Sequence, residues 1–301
     1  MSENVLAVRE ISGLRARRGT VPTYFELTKP RLTMLAVITA LLGYYLGSSG
    51  EGDFLNLFSV FFGAALVGGG ANALNQFFER DTDRLMRRTE NRPLPARRLT
   101  EEQAFNFGLV LCVSGVLWFM FFVNLLSGFM AFLTLVSYLI FYTPLKKKTP
   151  LALFVGAIPG ALPPVMGWTS AAGVLSVEAW GLFAILFFWQ LPHFLAIGWM
   201  CREDYQRAGI PVLSAADADG RKTSQRITIG CGLLLAVSLL PWALGLSRAL
   251  YGISALVLGA AFLSLSLGNA KSDPDAYARR LFFASIIYLP LLMTLMALDK
   301  S

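Results

Sequence analysis

Residues 54–83 read FLNLFSVFFGAALVGGGANALNQFFERDTD. The run from 54 to 78 carries no charge, and four charges then fall within five positions: Glu79, Arg80, Asp81 and Asp83. About 20 mostly apolar residues suffice for one helix to cross the bilayer hydrocarbon, and this run has 25. It reads as a membrane span that ends in a cluster of acids.

The rest of the chain agrees. Of 301 residues, 55% are hydrophobic and 15% charged, and the mean hydropathy is +0.57. Soluble domains run at about 45–50% apolar and about 25% charged. Disorder, a disulfide-rich secreted scaffold and a nucleic-acid-binding domain are therefore excluded. The net charge of +7 fits cytoplasmic loops instead. Cys112, Cys201 and Cys231 form neither a metal-ligand spacing nor an even disulfide set. The expected class is an all-α polytopic membrane protein.

Nine spans are expected, at 32–48, 54–78, 104–123, 128–142, 151–168, 177–199, 227–246, 249–267 and 282–298. The entrance to the fourth, Leu125-Leu126-Ser127-Gly128, reads either as a tight turn or as part of the span. With this count, 24 of the 26 basic residues fall on one side, leaving Arg248 and Lys300 opposite. The positive-inside rule then places the N-terminus in the cytoplasm and the C-terminus outside. A cytoplasmic segment over 1–31 precedes a single membrane domain over 32–298, with long cytoplasmic loops at about 80–103 and 200–226. No cleavable signal is expected, since Glu3 and Glu10 interrupt the start and no apolar region precedes Leu32. A bacterial inner membrane fits best.

Asn75, Glu79 and Asp83 recur every four residues and stack on one helical face, about 6 Å apart per step. Polar groups this deep in a membrane helix are costly and usually functional. The stripe offers hard oxygen ligands for Mg²⁺, which takes one or two carboxylates and completes its shell with water and phosphate. Asp81, two positions off, reads as a solvated charge. Arg84, Arg87, Arg88 and Arg92 follow, and the guanidinium fork suits phosphate oxygens. Carboxylates for a metal followed by arginines for an anion describe a diphosphate site at the membrane surface.

A second constellation closes span six. His193, the chain's single histidine, follows Pro192 inside the span, and Arg202-Glu203-Asp204-Tyr205 lie beyond it. Asp204 can supply another carboxylate, with Arg202 and Tyr205 near it. Glu203 points about 100° away on a helix. Between the two sites, 141–150 read FYTPLKKKTP, and span five is dense in glycine and proline. That density suggests either a bent helix lining a flat pocket or close packing between helices.

Asn75-(x)3-Glu79-(x)3-Asp83, Arg88-Thr89, Asn91-Arg92-Pro93-Leu94, Tyr142-Thr143-Pro144-Leu145-Lys146 and Asp204-Tyr205-(x)2-Ala208-Gly209 resemble the intramembrane UbiA-type prenyltransferase superfamily. Thr28-Lys29-Pro30-Arg31, Pro192-His193-Phe194 and Ala208-Gly209-Ile210-Pro211 resemble its heme-farnesylating branch. The likeness covers roughly 25–230. It implies a nine-helix bundle around a central cavity open to the cytoplasm, and farnesyl transfer from farnesyl diphosphate to a vinyl group of heme B. Mg²⁺ is the implied ion. Asn75, Glu79, Asp83 and Asp204 are the implied catalytic and metal residues. Arg88, Arg92, Tyr142, Lys146, His193, Arg202 and Tyr205 are the implied substrate contacts, with His193 toward the porphyrin. A heme A synthase or a terminal oxidase assembly is an implied partner. The chain departs from the wider pattern at Glu79, where aspartate is common, and at Val212 and Ser214. It also shows one clear acid in the second motif.

Allylic diphosphates ionise readily once the leaving group's charge is neutralised, and an apolar cavity must keep most water from the cation. Phe77, Phe78, Trp189, Phe194 and Trp199 are candidate aromatic faces for it. Three rivals stay open: a prenyltransferase for an aromatic quinone precursor such as 4-hydroxybenzoate, a membrane transporter, and a non-catalytic heme-binding protein. The first would keep the diphosphate half and dispense with Pro192-His193-Phe194. A transporter would want inverted repeats and midplane charges. The third would tolerate Asp83→Asn.

Overall fold

Lipid offers no hydrogen bonds to a backbone, so each spanning segment must satisfy its own peptide groups as a helix. The computed structural model describes residues 20–48, 53–214, 217, 219–268 and 273–301. Arg9, Arg15, Arg17, Arg18 and Lys271, used above to orient the chain, lie outside them. A short helix α1 (Thr20–Leu27) leads into α2 (Pro30–Gly47), α3 (Phe54–Asp83) and α4 (Glu101–Phe122). The fourth span runs from α5 (Leu125–Leu135) through a π-helical stretch, Val136–Tyr142, to Thr143–Leu145. After it come α6 (Ala152–Ala172), α7 (Val177–Met200), the short α8 (Arg202–Arg207), α9 (Arg221–Ser238), α10 (Ala249–Ser266) and α11 (Pro274–Leu298). Nine helices among the described residues are long and apolar enough to cross a membrane. This is the expected all-α, nine-span architecture.

Local chemistry moves some boundaries. Asn124 caps α5 through Ser127 N–H at 2.8 Å, so the 125–128 entrance belongs to the span and the turn precedes it. Thr100 and Gln103 form a reciprocal capping box that starts the third span at Glu101, three residues ahead of its apolar part. Pro144 brings no N–H to the ladder. The turn before it is widened, and Thr143 N–H bonds the carbonyl of Tyr138 five residues back.

Packing decides which helix is central. Water cannot drive apolar helices together inside lipid, so close approach through small residues does the work. A Cβ on Gly43 of α2 would strike the Pro164 backbone of α6, and one on Gly167 of α6 would strike the Ala40 carbonyl of α2. The glycines of span five therefore serve helix contact. In the apolar stretch of α6, 67% of the residues are buried, against 22% in that of α4. Helices adjacent in sequence pack in turn, while α2 against α6 and α11 against α7 tie the ends of the bundle together. Lys300 donates to the carbonyls of Tyr45 and Ser48, so the C-terminus sits on the face where α2 ends, as an odd number of spans requires. The opposite face carries the end of α3, Lys146 and α8.

Candidate active site

The C-terminal turns of α3 carry three polar side chains into the protein. Asn75, Glu79 and Asp83 are 3%, 4% and 0% exposed. Helical phase sends all three inward, whereas Asp81 is exposed and reaches Arg84 only at 4.0 Å. Buried carboxylates need partners, and each has a cation. Lys146 Nζ donates to both oxygens of Glu79 at 3.0 Å. Arg92 Nη1 donates to Asp83 Oδ2 at 2.7 Å. Lys29 Nζ donates to Asn75 Oδ1 at 3.2 Å, while Asn75 Nδ2 lies 3.4 Å from Thr143 Oγ1. The stripe of α3 is thus joined to residues 29, 92, 143 and 146.

Burial lowers the affinity of Lys146 for its proton, but Tyr142 and Glu79 beside it more than offset this and hold the amine above its ordinary value. At Lys29 the balance goes the other way. Burial, then Arg92, pulls its pKa down to about 7 against the opposing pull of Glu79 and Asp83. Lys29 also sits at φ 46°, in the left-handed region that costs a non-glycine residue of order 1 kcal/mol. Two acids face Arg92, Lys146 and a third basic group, Lys29, whose proton is loosely held, an arrangement in which an arriving polyanion would favour the protonated amine.

Asp83 Oδ1 is buried without a hydrogen-bond partner among the described residues, so this carboxylate keeps one oxygen uncommitted. No three acid, histidine or cysteine side chains converge as a metal cage among those residues. Toward Mg²⁺ the stripe would offer part of an oxygen shell, with the remainder falling to water and phosphate as is usual for that ion. The residues fit that ion.

The second constellation divides. Asp204 accepts from Arg87 N–H at 3.2 Å and from Arg207 at 3.1 Å, and Arg88 lies 4.8 Å over the Tyr205 ring. These contacts dock α8 on the loop that follows α3. Arg202 turns elsewhere, to Asp275 of α11 at 2.7 Å and over the Trp199 ring. Glu203 is exposed. His193 stacks on Trp189 (4.7 Å) and Phe282 (5.2 Å), and its Nδ1 lies 2.7 Å from Ser285 Oγ. Tyr142 stacks on Tyr138 at 5.6 Å, both in the π-helical stretch.

Several of these residues drew no role from the sequence. Lys29 was quoted within a motif and among the basic residues but given no task, although a lysine immediately before the proline that opens a span was a usable signal. Thr143 was quoted within a motif without a task. Ser285 and Phe282 both come from the ninth span, which had contributed only length and topology.

Among known proteins, the model of the UbiA prenyltransferase family matches residues 36–287. The protoheme IX farnesyltransferase of Solibacter usitatus is 44% identical over 286 residues, covering 92% of this chain and 98% of that protein. That of Koribacter versatilis is 43% identical over 288 residues, with 92% and 93% covered. The fold is shared with a digeranylgeranylglyceryl phosphate synthase (TM-score 0.78, 20% identity, 93% and 98% covered). It is shared too with a UbiA homolog of Archaeoglobus fulgidus bound to GPP and Mg²⁺ (TM-score 0.65, 12% identity, 91% and 99% covered). Identities this low speak for the fold alone, but the family pattern and the relatives above 40% identity run through most of the chain, which belongs to the UbiA prenyltransferase family.

Proposed function

We infer that this protein transfers the farnesyl group of farnesyl diphosphate to a vinyl group of heme B, giving heme O and releasing diphosphate. The observation that carries this is near-full-length likeness to protoheme IX farnesyltransferases above 40% identity. The buried Asn75, Glu79 and Asp83 stripe with its cations supports the same chemistry.

The farnesyl C1–O bond breaks and its electron pair leaves with the diphosphate. The vinyl π pair forms the new bond to C1, water adds to the carbon left positive, and one proton departs. A divalent cation held by Asn75, Glu79 and Asp83, with Asp204 nearby, would supply charge neutralisation to the leaving group. Arg92 and Lys146, which neutralise the acids, would turn to the phosphate oxygens, with Lys29 and Arg88 adding charge. The apolar surround, with the Tyr138–Tyr142 pair, keeps bulk water from the allylic cation. Tyr205 orients Arg88, and Arg202 acts through Asp275 to brace α8.

The diphosphate pole opens to the cytoplasm of a bacterial inner membrane, with the N-terminus inside and the C-terminus outside, as the charge bias requires. The apolar product stays in the bilayer for a heme A synthase or a terminal oxidase. Purified protein in detergent, given heme B, farnesyl diphosphate and Mg²⁺, tests this directly. A farnesylated, hydrated heme in the mass spectrum, lost with EDTA, is the expected product. Prenylation of 4-hydroxybenzoate with heme B untouched would refute the acceptor.

A further inference from the structure

His193 has two ring nitrogens, and the structure accounts for one of them. Nδ1 lies 2.7 Å from Ser285 Oγ. The Ser285 hydroxyl has a single hydrogen, which it donates to the Phe282 carbonyl at 2.6 Å. Toward the imidazole it must therefore accept, so the hydrogen between them sits on Nδ1. The neutral ring then keeps its lone pair on Nε2. Among the described residues nothing bonds Nε2.

Ser285 is built to hold that arrangement. It is 0% exposed, and its backbone carbonyl accepts from Trp189 Nε1 at 2.8 Å. Two α7 side chains one turn apart thus grip the same α11 residue. The imidazole stacks within 23° of parallel on Trp189 and on Phe282, which fixes the plane of the ring as well as its tautomer. His193 lies seven residues before the end of α7, and Asn75 lies eight before the end of α3. At about 1.5 Å per residue, each is about 10–12 Å along its own helix from an end that closes on the same side of the bundle.

We propose that Ser285 is a positioning residue: it holds His193 in the Nδ1–H tautomer, so that the Nε2 lone pair coordinates the iron of the heme acceptor. An imidazole that donates through one nitrogen is a better ligand through the other, and such outer partners are worth about 10–100-fold in metal affinity. The bond is dative, so no proton or electron changes hands. Its service is geometric, since a porphyrin tethered at its iron presents a vinyl group at a set distance from α7. The proposal rests on heme B being the acceptor.

The test is heme B binding to the full-length protein in lipid nanodiscs, followed by absorption and by resonance Raman of the ferrous form. Wild type is expected to show an iron–histidine stretch, and His193→Ala to lose it. Ser285→Ala, nearly isosteric, should keep the ligand with a lower stretching frequency and a dissociation constant raised about tenfold. Ser285→Thr, which retains the hydroxyl, should return both toward wild type. An iron–histidine stretch that survives His193→Ala overturns the proposal, as does a Ser285→Ala protein identical to wild type in frequency and affinity. Wild type that farnesylates heme B without such a stretch sinks the ligation alone. Wild type that neither binds nor farnesylates heme B takes the acceptor down as well.

Discussion

The end of α3 and the stretch of α7 around His193 solve opposite problems. Around Asn75, Glu79 and Asp83 the protein buries charge and answers it with charge, from Lys29, Arg92 and Lys146. Around His193 it buries a neutral ring among Trp189, Phe282 and the Ser285 hydroxyl. A diphosphate brings charge that must be balanced before its bond to carbon can break. A flat, largely apolar acceptor asks for surface and orientation instead. On the proposed function, this contrast would sort the two substrates by electrostatics, so substitutions at the two poles should separate in which substrate they affect.

The sharpest break comes from Asp83→Asn. It removes a fully buried charge and leaves Arg92 without its partner, and turnover should fall by a hundredfold or more. Heme affinity should hold, as a spectral titration would show. If heme affinity collapsed as well, the poles would not be separate. Lys146→Met comes next, lowering kcat/KM for farnesyl diphosphate roughly tenfold to a hundredfold. Combined with Glu79→Gln it should be non-additive by about 1–3 kcal/mol, because the two groups share one ion pair. A double-mutant cycle on kcat/KM measures this.

At the neutral pole, Phe282→Ala should raise the heme KM several-fold, in line with about 0.5–1.5 kcal/mol for an aromatic contact. The KM for farnesyl diphosphate should stay within experimental scatter. A change in the farnesyl diphosphate KM alone would reverse the assignment of the poles. The smallest effect is expected from Asp275→Asn, which loosens Arg202 from α11. That pair is half exposed, so solvent screening leaves it worth well under about 1 kcal/mol. Roughly a twofold rise in the KM for farnesyl diphosphate is the expected readout.

The two poles also differ in how far they could be read from the chain. The acidic stripe was legible because its order is local. Residues four apart on a helix share a face whatever surrounds them, and α3 continues unbroken to Asp83. Span count was legible for a similar reason, since bilayer thickness sets a length that hydropathy reports directly. Partners were not. Lys29 is 46 residues from Asn75, Lys146 is 67 from Glu79, and Ser285 is 92 from His193. Arg202, adjacent to acids in sequence, spends its charge on Asp275 instead. The π-helical stretch before Pro144 left no period to detect, because one widened turn shifts the phase by a single residue.

What the chain determined by itself was therefore a solvent, a set of nine spans and one face of one helix, all consequences of composition and short-range periodicity. Tertiary structure alone decided which cation meets which acid, that α6 is the central helix, and that the last span reaches back to His193. Those outcomes depend on small residues letting particular helices approach, as Gly43 and Gly167 do between α2 and α6. Close packing in lipid acts between segments distant in sequence, and no local pattern encodes its pairing.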